Sequence, residues 1–153
     1  MRIAGIIPDS IVDGPGVRYV IFTQGCKHFC KGCHNKETWD LEGGQEKTIR
    51  QIVRDIRKHP HIKGVTLSGG EPFLQAKECS LLIDKINKKY EGLNFVIYTG
   101  YTFEELLQES DEDKLELLRK ADILIDGKFV LEEKDLNFAF RGSRNQRVLD
   151  LAK

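Results

Sequence analysis

No stretch of this 153-residue chain is apolar for long enough to cross a membrane. Net charge is missing as well, because Lys plus Arg and Asp plus Glu come to 24 each. Nucleic-acid binders as a rule carry a basic excess, so this balance argues against that class. Neither an internal repeat nor a low-complexity segment is visible. The chain is long enough for one domain with a real core, residues 1–153. No secretory signal opens the sequence, since Met1-Arg2-Ile3-Ala4-Gly5 runs straight into Pro8 and Asp9. The expected setting is the cytoplasm, where thiols serve metals or catalysis more often than crosslinks. Cysteine is scarce at four residues, and three of those stand close together.

Cys26, Cys30 and Cys33 are spaced C-x3-C-x2-C, directly after the apolar run Val17 to Phe22. Three thiolates at these intervals can wrap one face of a small inorganic centre. A 4Fe-4S cluster held by three cysteines keeps one iron without a protein ligand, and an open metal position is where chemistry happens. A structural zinc site is the competing reading, with His28 or His34 as fourth ligand. The spacing alone leaves both open. Cys79 falls in phase with Leu82, Ile83 and Ile86 and reads as a buried core thiol.

Around the cysteines, strand and helix patterns alternate. Residues 17–23, 62–68, 94–99 and 121–126 read as strands, and 144–149 as a possible last one. Helices are expected from Thr48, Pro72, Thr102 and Ser110, where Thr48 and Thr102 each have Gln or Glu three residues on. Alternation of this kind implies an α/β fold with a mostly parallel sheet and crossover helices. The strands are too few for a closed eight-stranded barrel, so an open, partial (βα) barrel is expected. Ligands in such folds gather at the carboxyl ends of the strands. The cysteine loop, Ser68-Gly69-Gly70-Glu71, Tyr98-Thr99-Gly100 and Asp126-Gly127-Lys128 all fall at such ends.

Each of these motifs has a plain reading beside a functional one. Ser68-Gly69-Gly70-Glu71-Pro72 is either a strand-to-helix turn or a backbone surface that a ligand can approach closely. Asp13-Gly14-Pro15-Gly16 reads first as a turn. Arg18, odd inside an apolar strand, either faces solvent or holds a carboxylate. Asp126 either binds a hydroxyl, an ammonium or a cation, or sits in an exposed Asp-Gly turn. Phe29 and Trp39 flank the cysteines, as packing over a cluster or as ordinary core.

The cysteine triplet together with Gly69-Gly70-Glu71 resembles the radical S-adenosylmethionine superfamily. Within it, Asp13-Gly14-Pro15-Gly16-Val17-Arg18, Cys33-His34-Asn35 and Thr38-Trp39-Asp40 resemble the activases of glycyl-radical enzymes. The short chain and the tail from Arg141 to Arg147 are most similar to the branch that activates anaerobic ribonucleoside-triphosphate reductase. The resemblance covers about residues 5–147. It implies a truncated radical S-adenosylmethionine core, an oxidoreductase used anaerobically, and a 4Fe-4S cluster on Cys26, Cys30 and Cys33. The open iron would bind the amino and carboxylate groups of S-adenosylmethionine. Gly69, Gly70 and Glu71 would contact the methionine amino group, mainly through backbone. Gly32, Cys33 and His34 would line the cofactor beside the cluster, and Asp126, Gly127 and Lys128 match a cofactor-contacting segment.

The implied reaction is one-electron cleavage of the sulfonium to methionine and a 5′-deoxyadenosyl radical. That radical would take a hydrogen from a glycine of the partner, a glycyl-radical reductase large subunit. An electron donor such as flavodoxin or ferredoxin is implied too. No general acid or base is needed, which agrees with the lack of any clear carboxylate or histidine pair. One departure stands out. Pyruvate formate-lyase activases carry Asp-Thr-Asn-Gly where this chain has Tyr98-Thr99-Gly100, so the cation site that the Asp serves is in doubt here. An activase of that other type, a radical enzyme acting on a small molecule, and a zinc-binding interaction module are the alternatives.

Overall fold

The computed structural model describes residues 1–26, 28, 43–128, 130, 143 and 145–151. Its elements run β1 (Arg2–Ser10), β2 (Arg18–Thr23), β3 (Gln45–Glu46), α1 (Ile49–Ile56), β4 (Gly64–Gly69) and a 3₁₀ turn (Pro72–Gln75). Then follow α2 (Ala76–Lys89), β5 (Asn94–Tyr98), α3 (Phe103–Glu109), α4 (Glu112–Lys120), β6 (Ile123–Asp126) and β7 (Arg147–Asp150). Among the described residues the strands form one seven-stranded sheet in the order β3-β1-β2-β4-β5-β6-β7. The fold is mixed α/β.

The centre of the sheet is parallel, with β2 paired to β4, β4 to β5 and β5 to β6. Both flanks are antiparallel, through β1 with β2 and β3, and β6 with β7. Parallel register puts the carboxyl ends of four strands on one edge. Thr23 pairs with Gly69, Leu67 with Ile97, and Tyr98 with Ile125.

Alternation along each strand separates two faces. Tyr19, Ile21, Val65, Leu67, Phe95, Ile97 and Leu124 belong to the main core. Against them pack Ile52, Val53 and Ile56 of α1, Leu82, Ile83 and Ile86 of α2, and Leu117 and Leu118 of α4. Each such side chain contributes roughly 1.5–3 kcal/mol on full burial. Cys79 lies in this core, fully buried, as its phase with Leu82 and Ile86 requires. The other face carries Arg18, Val20, Thr66, Val96 and Tyr98 by the same alternation.

Four readings of the secondary structure need correction. A strand at Arg2–Ser10 was not expected, because Gly5 and Pro8 punctuate it. The strand absorbs them where its register with β2 shifts, between Ile3 and Gly5 and between Ile7 and Ser10. The helix expected from Pro72 begins as a 3₁₀ turn, and α2 proper starts at Ala76. Asp111, not Ser110, caps α4 by accepting from the Lys114 N–H, while Ser110 is left-handed with φ 55°. The last strand starts at Arg147 and runs antiparallel. Thr48 and Thr102 do form reciprocal capping boxes with Gln51 and Glu105.

Arg18 neither faces solvent nor holds a carboxylate. It is fully buried and donates to Thr66 Oγ1 (2.7 Å) and to the carbonyls of Pro15 (2.9 Å), Val65 (3.1 Å) and Asn94 (3.2 Å). Thr66 in turn donates to the Asp13 carbonyl at 2.9 Å. The Asp13-Gly14-Pro15-Gly16 turn is thus tied over the amino ends of the parallel strands. Gly14, with φ +138°, lies so close that a Cβ would meet Arg18 Cδ at 2.8 Å. Burial pushes the guanidinium down to about 10, with Tyr98 and Asp122 opposing, so it stays a cation at neutral pH.

Candidate metal and cofactor centre

The exit of β2 is joined to the Gly-Gly-Glu turn after β4 before the chain reaches Cys26. The Gly70 N–H donates to the Thr23 carbonyl at 2.9 Å, and the Glu71 N–H to the Gly25 carbonyl at 2.7 Å. Thr23 Oγ1 donates to the Ser68 carbonyl at 3.0 Å. The chain leading into Cys26 therefore lies along the Gly-Gly-Glu turn. Gly69 has φ +96°, and a Cβ there would sit 2.5 Å from the Thr23 nitrogen. Its missing side chain is required by the neighbouring strand itself. That weakens the idea that both glycines exist for a ligand.

Cys26 is buried at 8% exposure. Cys30, Cys33, Gly32 and His34 lie outside the described residues, as do Phe29 and Trp39. Among the described residues no three His, Cys, Asp or Glu side chains gather as a metal site.

Glu71 is the hub of the strand ends. Its carboxylate is 1% exposed and accepts four hydrogen bonds. Oε1 takes the Gly100 N–H (2.7 Å) and His28 Nε2 (2.6 Å), and Oε2 takes Thr99 Oγ1 (2.8 Å) and the Phe73 N–H (3.1 Å). Thr99 Oγ1 also accepts from the Tyr101 N–H at 3.1 Å. The His28 ring meets Tyr101 edge-on, centroids 4.7 Å apart. The Lys114 ammonium lies 4.8 Å over the same tyrosine.

Asp126 is equally occupied. It is 1% exposed, takes the Phe103 N–H of α3 at 2.8 Å, and is paired by both Nε and Nη2 of Arg147. Arg147 reaches on to Glu104 at 2.7 Å. Gly127, at φ +98°, donates to the Tyr101 carbonyl at 2.9 Å. Lys128 is exposed, and its carbonyl accepts from Asn145 at 2.7 Å. Gly69, Gly70, Glu71, Asp126 and Gly127 are therefore brought to one edge. The two carboxylates reach that edge with their oxygens already used.

His28, Thr99, Gly100 and Tyr101 were not singled out together from sequence. The signal available was position, since each falls at or just past the end of a parallel strand. Tyr98 carries a phenol that burial, and then Asp13, hold above its ordinary range, while Arg18 opposes. It puts a phenol, not a carboxylate, at the end of β5.

The donor chemistry fits a thiolate-bound soft metal centre, such as an iron–sulfur cluster, better than a hard cation. Soft thiolates select iron–sulfur and zinc, whereas hard cations need free oxygen ligands. Glu71 and Asp126 are spent, so among the described residues no buried carboxylate of this edge remains for a hard cation.

A family model described as a 4Fe-4S single cluster domain matches residues 12–149. A Vibrio cholerae protein named anaerobic ribonucleoside-triphosphate reductase-activating protein is 38% identical over 148 residues, 92% of this chain and 92% of its own length. The protein of that name from Enterobacteria phage T4 is 37% identical over 150 residues, 94% of this chain and 90% of its own. That from Salmonella typhi is 36% identical over 154 residues, 97% of each.

Proposed function

We infer the function from one premise: the chain belongs to the family of anaerobic ribonucleoside-triphosphate reductase-activating proteins, with their 4Fe-4S single cluster domain. It is an oxidoreductase that activates anaerobic ribonucleoside-triphosphate reductase by giving it a glycyl radical. The observation that carries this reading is the near full-length match to such activators. The meeting of the Cys26 chain with Gly70 and Glu71 supports it.

Cys26, Cys30 and Cys33 would hold the cluster, leaving one iron for S-adenosylmethionine. When bound, the reduced cluster and S-adenosylmethionine supply a one-electron cleavage that ends in removal of a hydrogen from a glycine of the reductase. The residues of this chain supply orientation and shelter. Gly69, Gly70 and Glu71 would meet the methionine ammonium through backbone carbonyls, a role that the occupied Glu71 carboxylate supports. Asp126, Gly127 and Lys128 would contribute backbone for the same reason. Gly32, Cys33 and His34 would line the cofactor beside the cluster.

We read the sheet as an open partial (βα) barrel within a single domain, residues 1–153, whose inner face runs from Arg18 at the amino ends to Tyr98 at the carboxyl ends. The reductase large subunit is the protein substrate, a flavodoxin or ferredoxin the electron donor, and the cytoplasm the setting. Among the described residues no helix is long and apolar enough to cross a membrane.

Anaerobic reconstitution with iron and sulfide, followed by S-adenosylmethionine with and without the reductase, tests the reading. A glycyl radical signal is expected only with the reductase, and Cys30→Ala is expected to abolish it. A colourless protein with tightly held zinc, or full activity of the Cys30→Ala chain, would sink it.

A further inference from the structure

His28 lies midway in sequence between Cys26 and Cys30, and its Nε2 is engaged by the protein itself. It is 8% exposed, wedged against Gly100 and Tyr101, and bonded through Nε2 to Glu71. A Cβ on Gly100 would fall 2.4 Å from the imidazole Cδ2, so a glycine is needed for the ring to lie there. A carboxylate oxygen only accepts, which assigns the proton to Nε2. The Glu71 carboxylate offers about four lone-pair directions, and its four partners use them. No acceptor capacity is left for an incoming ammonium.

We propose that His28 and Glu71 form a latch that pins the chain at His28, two residues past Cys26, onto the carboxyl ends of β4 and β5. Glu71, the acidic member of the Gly-Gly-Glu motif, is then a positioning residue whose side chain grips the protein and not the cofactor. The proposal rests on the activase reading. Its physical basis is that three of the four donors on Glu71 come from β5's exit and the 3₁₀ turn, both rooted in the core. The fourth is the only described side chain of the loop beyond Cys26. Glu71 therefore ties His28, the neighbour of the Cys26 segment, to the rigid sheet.

The test compares His28→Ala with His28→Gln in the reconstituted full-length protein. Gln can bring an amide N–H to the place of Nε2. Iron content, the electron paramagnetic resonance spectrum of the reduced cluster with and without S-adenosylmethionine, and the S-adenosylmethionine Kd are read for each. His28→Ala is expected to raise Kd roughly tenfold or more, as loss of residues that orient metal ligands does. It should also alter the cofactor-induced change in the spectrum. His28→Gln should recover most of both. A purely structural role would lower the melting temperature without moving the Kd of the folded protein.

His28→Ala with wild-type Kd and spectrum overturns the latch, as does His28→Gln that fares no better than His28→Ala. If His28→Ala takes up no iron, His28→Gln decides alone: recovery supports the latch, and no recovery overturns it. Wild-type protein that takes up no cluster overturns the activase reading and the latch with it. A normal wild type beside an indifferent His28→Ala overturns the latch only.

Discussion

Replacing Glu71 by Gln changes one oxygen to an amide nitrogen and almost nothing in shape. The consequence follows from which partners can adapt. If the Gln oxygen takes the Oε2 place, the amide nitrogen faces His28 Nε2 and the Gly100 N–H. The imidazole can exchange tautomer and accept, but a backbone N–H can only donate. If the oxygen takes the Oε1 place, the nitrogen faces Thr99 Oγ1 and the Phe73 N–H. The hydroxyl can turn, and again the backbone N–H cannot. Either rotamer leaves one buried backbone donor opposite another donor, at a side chain 1% exposed. A buried donor left unsatisfied costs about 1–3 kcal/mol. For a chain of this length that amounts to a melting temperature lower by roughly 4–8 °C for a mid-range 2 kcal/mol. Anaerobic thermal scans of wild type and Glu71→Gln, run side by side at equal iron loading, measure it. A difference within about 0.5 kcal/mol, the range of an ordinary surface substitution, would refute the assignment of four protein donors to this carboxylate.

Gly100→Ala should displace the His28 ring, because the new Cβ would stand 2.6 Å from Nε2. Its effect on the S-adenosylmethionine Kd should match that of His28→Ala, and the double variant should be little worse than either single one, as expected of coupled sites. Arg18→Lys should destabilise by about 1–3 kcal/mol in urea titrations, since one ammonium cannot span Thr66 and three carbonyls as a planar guanidinium does. Cys79 predicts an alkaline signature. Burial pushes its thiol from 9.0 up to about 12, so above pH 9 the folded chain keeps a proton that the unfolded chain loses. Stability should fall as pH rises from 9, by up to about 1.4 kcal/mol per unit from this group. Cys79→Ala should flatten the slope between pH 9 and 10, while iron content stays at the wild-type level. An unchanged slope would place Cys79 outside the core.

The strands that became β2, β4, β5 and β6 were legible because hydrophobic period is a local property. Tyr19 and Ile21, or Val65 and Leu67, announce a buried face without reference to the rest of the chain. The caps at Thr48 and Thr102 are equally local, each a side chain reaching three residues along. β1 escaped notice because Gly5 and Pro8 are breakers on local grounds, and only its pairing with β2 makes room for them as register shifts. Arg18 was misjudged for a like reason, since a charge in an apolar strand can be solvated or paired, and the Pro15 turn that encloses it is settled by packing.

By itself, the sequence determined an α/β alternation, a cysteine triplet and a Gly-Gly-Glu turn at strand ends, all from spacing and period. Tertiary structure alone decided what the acidic groups do there. Glu71 finds His28, Thr99 and Gly100 at separations of 43, 28 and 29 residues. No pattern along the chain encodes such partners. They meet because parallel pairing brings the exits of β2, β4 and β5 to one edge, where a buried carboxylate must take whatever donors the folded backbone presents.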